Sequence, residues 1–344
     1  MMEKEKLDNL ETNDESIEPS DFEMVEQSSD EEVAAEEASP EETEPISYSS
    51  SYMENIEEAR AHFLKIYRLH NTFKWIVMVI AMASMIIAFL VIPNSVPDNG
   101  MIITSAIAVG ALALVIVYNF FTKRYINKKM REYFNLYYDN VNQFALGGEN
   151  VTNIKSQFPG KIVAEAFTDN NLFKNVTDVG SRGLTEFEYQ GVPIAICDCA
   201  GQTRNEQKRI VPVFVGKYLY AASNYAYDEP LYVYIKGDKR ALPPTNMQGM
   251  NAVIDDNVMI VYTNNKDWKK VLNQPVKDIL KSIKPNKELV DVSISLQKGR
   301  VFVCMGYDDP LMVLPLQNQF DPKPNEIFKQ DVKNVLKLIK EFNK

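Results

Sequence analysis

Two long, uncharged apolar runs dominate the pattern of the chain. The first extends from Trp75 to Ile92 and the second from Met101 to Tyr118, and the stretch 93–100 between them contains two prolines and a glycine. A helix needs about 20 mostly apolar residues to cross the hydrocarbon core of a bilayer. The pattern therefore predicts two membrane-spanning helices, at about 75–93 and 101–121, joined as a hairpin. Neither run contains an ionisable residue that would mark a transport pathway.

The charges beside these runs predict how the hairpin is oriented. Lys74 and Trp75 stand at the start of the first run, Lys123 and Arg124 follow the second, and the connecting stretch carries only Asp98. Basic residues concentrate on the cytoplasmic side of membrane helices, and tryptophan favours the interface. The four flanking residues are therefore predicted to anchor the helices in the cell membrane. Both chain termini would then lie in the cytoplasm.

Apolar positions continue outside both runs at alternating spacings of three and four residues. They are Ile56, Ala59, Phe63, Ile66, His70 and Phe73 before the first run, and Ile126, Met130, Tyr133, Tyr137, Val141 and Phe144 after the second. This spacing is close to the heptad pattern, so it predicts a coiled-coil-like stalk within residues 54–148 that ends at Gly147-Gly148. Amphipathic helices lying flat on the lipid are the alternative. Because the hairpin brings the two segments together, they are predicted to pack on each other, with pairing between chains of a homo-oligomer left open.

The first 53 residues differ from the rest in composition. Residues 1–50 contain 18 Asp and Glu against two lysines, which gives a local net charge of -16 in a chain whose total is -10. Such a segment has too little apolar surface to offset the entropy of ordering, so we predict a disordered acidic arm over residues 1–53. It is interpreted as a solvated bristle, or alternatively as a docking tail for a basic partner or a phosphorylation target at Ser28, Ser29 and Ser39.

Residues 149–344 are long enough for one domain with its own core. A helical period is predicted from Val151 to Phe158, and an amphipathic helix from Asp267 to Ile283, capped by Asp267 and kinked at Pro275. A last helix is predicted from Gln330 to Phe342. Between them lie runs rich in β-branched and aromatic residues, which predict strands at 186–189, 192–199, 210–220, 231–235, 258–262, 290–296 and 300–305.

The order of these elements indicates the fold class. Strands follow one another, with helices mainly at the ends, which favours an α+β fold with a mixed or antiparallel sheet and flanking helices. The last two strands are joined by a short segment that contains Gly299, as in a hairpin.

The cysteines and the known catalytic motifs give little support to an enzyme. The chain has three cysteines, Cys197, Cys199 and Cys304, and both of its histidines precede the first apolar run. We expect buried, reduced thiols, with a redox or metal role as the weaker alternative. The sequence lacks a P-loop, a dinucleotide-binding glycine pattern, an HExxH helix and a GxSxG elbow. No catalytic residue, cofactor or metal ligand is therefore predicted. Nucleic acid is not an expected partner, because no concentrated basic and aromatic block is present.

Two features of the domain leave a binding function open. The segment Asp178–Gly183 is interpreted as a turn, with a glycine-rich anion loop as the alternative. Tyr232 and Tyr234 should share one face of a strand, either as part of a sheet rim or lining a ligand groove. A pocket of dispersed polar residues such as Asp178, Arg182 and Asp198 would indicate a ligand-binding or hydrolytic site.

Several segments resemble one bacterial family. The order of Phe158-Pro-Gly-Lys-Ile-Val-Ala-Glu-Ala-Phe167, then Leu172-Phe173, Asp178-Val-Gly-Ser181, the strand pair around Phe187 to Asp198, and Val213-Phe-Val-Gly216, is similar to the DUF3137 family. The resemblance covers roughly residues 55–344. It implies a two-helix membrane hairpin followed by a soluble domain, and no catalytic assignment.

Together these patterns favour a membrane-anchored, non-enzymatic binding or scaffold protein. Its expected partners are the lipid bilayer and another protein. A membrane-tethered hydrolase or ligand-sensing domain is the alternative.

Overall fold

The computed structural model describes residues 50–90, 92, 100–148, 150–237, 241–286, 288–307, 316 and 319–344. Residues 1–49 of the predicted acidic arm, and residues 93–99 of the predicted connecting turn, lie outside this part of the chain. The first helix begins at Ser50, four residues before the predicted boundary.

The described residues form an α+β protein. The helices are α1 (Ser50–Leu90), α2 (Gly100–Leu146), α3 (Ala164–Thr168), α4 (Trp268–Val271), α5 (Gln274–Ser282) and α6 (Lys323–Phe342). The strands are β1 (Val151–Gln157), β2 (Asp178–Tyr189), β3 (Val192–Arg204), β4 (Ile210–Ala222), β5 (Leu231–Ile235), β6 (Ala252–Asp255), β7 (Met259–Thr263), β8 (Leu289–Gln297) and β9 (Arg300–Tyr307).

Helices α1 and α2 contain the two apolar runs, and both are long and apolar enough to cross a membrane. They contain 41 and 47 residues, which corresponds to lengths of about 60 and 70 Å. Most of their apolar side chains are exposed, whereas the apolar side chains of a core helix in a soluble protein are mostly buried. As predicted, α2 ends just before Gly147.

Contacts between α1 and α2 show that they pack side by side in opposite directions. The Thr104 hydroxyl donates to the Ala88 carbonyl at 2.9 Å. At the other end, the rings of Phe63 and Tyr133 stack with their centroids 5.6 Å apart. Phe73, predicted to lie in the seam, is instead 50% exposed. Three residues of an α-helix fall about 60° short of a full turn, so Phe73 points away from the line of contact on which His70 lies.

The described residues form one sheet of nine strands, in the order β1-β2-β3-β4-β9-β8-β5-β7-β6, in which all neighbouring strands are antiparallel. Antiparallel pairing is one of the two sheet types, mixed or antiparallel, that the order of elements along the chain predicted. The β8–β9 hairpin is also confirmed: Gln297 pairs with Arg300, and Gly299 has φ +77°. Glycine adopts this positive φ, which a two-residue hairpin turn requires, at a lower energetic cost than other residues.

Three local predictions were wrong. The segment Val151–Gln157 is the edge strand β1 and not a helix, because seven residues are too few for periodicity to separate the two. Pro275 does not kink a helix: it lies in the first turn of α5, where Asn273 caps the helix by accepting a hydrogen bond from the Val276 amide at 3.0 Å. The segment Asp178–Gly183 is neither a turn nor an anion loop, because it forms the first half of β2.

Some elements also differ in extent from the predictions. Strand β6, four residues long, was not predicted. Helix α6 begins at Lys323, seven residues before the predicted start, with Pro324 in its first turn. Short edge strands and helix starts contain little of the periodicity on which the predictions rested.

Both faces of the sheet are buried. In β3, Ile194 and Ile196 point to the larger core cluster, which also contains side chains of α2, α5 and α6. Ala195, Cys197 and Cys199 alternate with them and point to a second cluster, where α3 and the segments around Phe173 and Met247 cover the sheet. The domain therefore has a helical layer on one face and mostly irregular segments on the other.

Candidate functional site

Three charged residues form a row across the middle of the sheet. Arg182 in β2 pairs directly with Asp198 in β3, which pairs with Lys217 in β4. Side chains alternate along a strand, so these residues share the face of Ile196 and Leu219, which is the face covered by helices. The row therefore lies beneath the helical layer, where charges are uncommon.

Asp198 is the centre of this row. Its Oδ1 lies 2.5 Å from the Lys217 Nζ, and its Oδ2 lies 3.8 Å from the Arg182 Nε. The hydroxyl of Tyr138, from α2, donates a hydrogen bond to the same Oδ2 at 2.9 Å. We call these four residues the Asp198 cluster.

Burial decides how the Asp198 cluster behaves. Lys217 is 3% exposed, so its ammonium group depends on the carboxylate of Asp198 for charge compensation. Burial, and secondarily the neighbouring Asp198, raise the pKa of Tyr138 well above its ordinary value. The phenol therefore keeps its proton at neutral pH and acts as a hydrogen-bond donor. Both carboxylate oxygens are engaged, which is unlike a carboxylate held free to accept a proton from a substrate.

A second polar pair connects the sheet to the last helix. The Tyr307 hydroxyl in β9 donates to the Asp331 Oδ2 in α6 at 2.9 Å. Burial raises the pKa of Asp331 to about 6, although the bond from Tyr307 acts in the opposite direction. Phe328, also in α6, lies beneath the Lys217 Nζ, which is 5.0 Å from its ring centroid. Helices α2 and α6 are therefore both tied to the same charged part of the sheet.

The structure brings together two of the three polar residues named for a pocket. Arg182 and Asp198 are neighbours. Asp178 precedes Arg182 by four residues on β2, about 13 Å along the strand, and pairs with Gln202 instead. Lys217 and Tyr138 were missed. Lys217 could have been found, because it is the only charge in the apolar strand β4, and such a charge needs a partner when buried.

The predicted membrane-anchoring residues lie on the long helices as expected from their sequence positions. Lys74 and Trp75 belong to α1, where Trp75 is 65% exposed. Lys123 and Arg124 belong to α2, at the end of its apolar part. Their role in the membrane stays a prediction.

The cysteines are buried and free, as expected. Cys197 and Cys199 share one face of β3 with Cys304 of β9 in the smaller core cluster. Burial raises the pKa of the Cys304 thiol well above its ordinary value. Within the described residues no group of three or more His, Cys, Asp or Glu side chains is placed to hold a metal ion.

Two further features bear on binding. Tyr232 and Tyr234 lie opposite Ser295 and Ser293 of β8 on one face of β5, as predicted, but they are 3% and 9% exposed and so form no exposed rim. A groove of about 410 Å³ lies between α1 and α2 and has mixed walls, with Glu58, His62, Lys129, Glu132 and Leu136 among its lining residues.

Comparison with known proteins adds no assignment. No family model, no curated protein and no solved structure matches this chain. The resemblance to the DUF3137 family stays a prediction.

Proposed function

We propose that this protein is a membrane-anchored, non-enzymatic binding or scaffold protein. In this proposal α1 and α2 cross the cell membrane as a hairpin, continue into the cytoplasm as a coiled-coil-like stalk, and hold the sheet domain there. Both termini are cytoplasmic. The order of two apolar helices followed by a sheet domain is also the order that the resemblance to DUF3137 implies.

The continuity of α2 is the observation that carries the proposal. One helix of 47 residues begins with the second apolar run and ends in the core of the sheet domain. There Tyr138 bonds to Asp198, and the Asn142 Nδ2 donates to the Thr185 hydroxyl at 2.8 Å. The segment from Arg124 to Tyr138 would raise these contacts about 20 Å above the end of the apolar run. A domain held this way presents a fixed surface to a partner.

The chemistry of the buried charges supports a binding role over catalysis. In the Asp198 cluster both carboxylate oxygens are engaged, and α2 and α6 cover the cluster. A catalytic site needs a group that can reach the substrate, either directly or through a water molecule. A cluster that joins four elements, α2 and three strands, has the properties of a structural tie.

Site-specific photo-crosslinking in living cells tests the proposal. A photoreactive residue is introduced at exposed Ile210 and, separately, at exposed Lys337 in the sheet domain, with Ile87 of the apolar part of α1 as the matched control. We expect a protein adduct of discrete mass from a domain position and none of the same mass from Ile87. Absence of any protein adduct from both domain positions, together with a small molecule that copurifies stoichiometrically, would replace this proposal with the ligand-sensing alternative.

A further inference from the structure

Basic residues surround α1 and α2 immediately outside their apolar segments. They are Lys65, Arg68 and Lys74 on α1, and Lys123, Arg124 and Lys128 on α2, and we call this set the basic collar. No acidic residue occurs in positions 59–90 or 100–131. The collar therefore has six positive charges and no acidic residue within its own segments.

Packing of the helices makes the two halves of the collar overlap along the helix axes. The rings of His70 on α1 and Tyr118 on α2 are stacked, with centroids 6.1 Å apart. His70 lies between Arg68 and Lys74 in sequence, and Tyr118 is six residues before Arg124. Because the helices run in opposite directions there, the two halves form one basic zone around the pair.

Three residues of the collar make no internal ion pair of the kind that other basic residues of the stalk make. Arg68, Arg124 and Lys128 are exposed, and none of them has an ion pair with a described residue. The next basic residues outward do have partners: Lys129 pairs with Glu132 at 2.7 Å, and Arg60 pairs with Glu57. Arg68, Arg124 and Lys128 therefore have charge available for a partner outside the chain.

Distance from the apolar segments selects that partner. Arg68 precedes Lys74 by six residues, and Lys128 follows the end of the second predicted span by seven, which places both within about 10 Å of the membrane ends of the helices. The Debye length in physiological salt is about 8 Å, and long basic side chains extend further toward the lipid surface. Anionic phospholipid head groups are the phosphates that lie at this depth.

We infer that the basic collar binds anionic phospholipid head groups of the bilayer in which the protein is anchored. Each head-group phosphate accepts hydrogen bonds from Lys and Arg side chains of both helices. Binding at this level fixes the depth of the helix pair and the height of the sheet domain. The inference rests on the proposed membrane anchoring and adds the class of lipid that the stalk recognises.

The experiment uses the full chain reconstituted in vesicles that contain equal amounts of phosphatidylcholine and phosphatidylglycerol. Native mass spectrometry then counts the copies of each lipid that the protein retains. The test variant is Arg124→Gln with Lys128→Gln, which leaves Lys74 and Lys123 in place to keep the orientation. The matched control is Lys333→Gln with Lys337→Gln, another exposed pair spaced by four residues on a helix.

The control pair is distant from the collar along the structure. Lys329 of α6 lies over the ring of Phe144, 4.2 Å from its centroid, and Phe144 is 20 residues, or about 30 Å, beyond Arg124 along α2. Phe320, just before α6, contacts Tyr137, which is nearer the collar than Phe144 is. The chain therefore moves away from the collar between Phe320 and Lys329, before it reaches Lys333. Both variants lose the same charge, and only one loses it near the lipid.

We expect the wild type and the control variant to retain more phosphatidylglycerol than phosphatidylcholine. In the collar variant this preference should fall about tenfold. In 1 M salt the wild-type preference should also be reduced. Equal retention of both lipids by the wild type, or the same preference in the collar and control variants, would overturn the inference. Glycerol phosphate that displaces the lipid completely would also overturn it, because the site would then recognise a soluble anion. A protein that fails to float with these vesicles in a density gradient would instead refute the membrane anchoring itself.

Discussion

The hydroxyl of Tyr138 donates a hydrogen bond to the carboxylate of Asp198 across 2.9 Å, and this contact joins the second long helix to the centre of the sheet. The two residues are 60 positions apart in sequence. The same carboxylate compensates Lys217, which is almost fully buried. The attachment of the sheet domain to α2 and the burial of a charge in the domain are therefore the same structural feature.

Replacement of Lys217 by Met should destabilise the domain strongly. It leaves Asp198 beneath the helical layer with the more distant Arg182 as its counter-charge, besides the hydrogen bond from Tyr138. Loss of one partner of a buried ion pair costs about 3–5 kcal/mol. The change is measured as a drop in the thermal unfolding midpoint of the detergent-solubilised protein. The double variant Lys217→Met with Asp198→Asn removes both charges and should recover part of the loss. A double variant less stable than Lys217→Met would contradict the proposed role of the pair.

Replacement of Tyr138 by Phe tests the tie between α2 and the sheet without removing the ring. Loss of a hydrogen bond to a charged acceptor costs about 1.5–3 kcal/mol, so the unfolding midpoint should fall and amide exchange in the last two turns of α2 should increase. Tyr133→Phe is the matched control, because the buried hydroxyl of Tyr133 has no hydrogen-bond partner among the residues that the structure describes. That control should be neutral or slightly stabilising. Equal effects of the two substitutions would show that the Tyr138 hydroxyl does not act through Asp198.

Asp331 should make stability depend on pH between about 4 and 6. Its pKa is raised from 3.8 to about 6 in the folded protein, so the folded state binds its proton more tightly than the unfolded state. The resulting stabilisation is fully present below about pH 4 and is lost as the pH rises through 6, with a total of about 2–3 kcal/mol. Asp331→Asn keeps an acceptor for Tyr307 and removes this dependence.

The measurement for Asp331 is the difference in unfolding midpoint between the Asn variant and the wild type from pH 4 to 7.5. This difference should become more positive as the pH rises, because only the wild type loses stabilisation at this position. Asp291, whose pKa burial also raises to about 6, is present in both proteins and cancels in the difference. A difference that is independent of pH would refute the prediction.

The proposed cytoplasmic position of the sheet domain predicts the absence of glycosylation. Asn150 and Asn175 both begin Asn-x-Thr sequons, so they would be acceptors if the domain faced the lumen. Expression in a eukaryotic host should therefore give a chain whose mass does not change on glycosidase treatment. As a positive control, a longer loop with a sequon inserted in the 93–100 stretch should be glycosylated. Glycan on Asn150 or Asn175 would reverse the predicted topology.

Much of the architecture could be predicted because it is recorded in local patterns. The two apolar runs are long enough that only a long helix fits them, and Gly147 marks the end of α2. The strands β3, β4, β5, β8 and β9 are long or strongly β-branched, so their positions were predicted to within a few residues. Where a segment was short, as in β1, or contained a proline, as in α5, the local pattern fitted two structures and the wrong one was chosen.

The candidate site was predicted only in part for a related reason. Asp198 and Arg182 drew attention because they are charged residues near apolar strands, but their partner Lys217 lies on a third strand and Tyr138 on a helix. Asp178 has the same chemistry as Asp198 and lies at the far end of β2. Residue type alone does not distinguish the two, whereas strand register does.

The sequence by itself determined the two long apolar helices, the α+β class and the basic charge beside the apolar segments, because each depends on residues that are close together along the chain. Only the tertiary structure decided the order of the nine strands and the pairing of Asp198 with Lys217 and Tyr138. Burial is the physical reason for this pairing, because a charge beneath the helical layer is stable only where the fold brings its counter-charge to the same place.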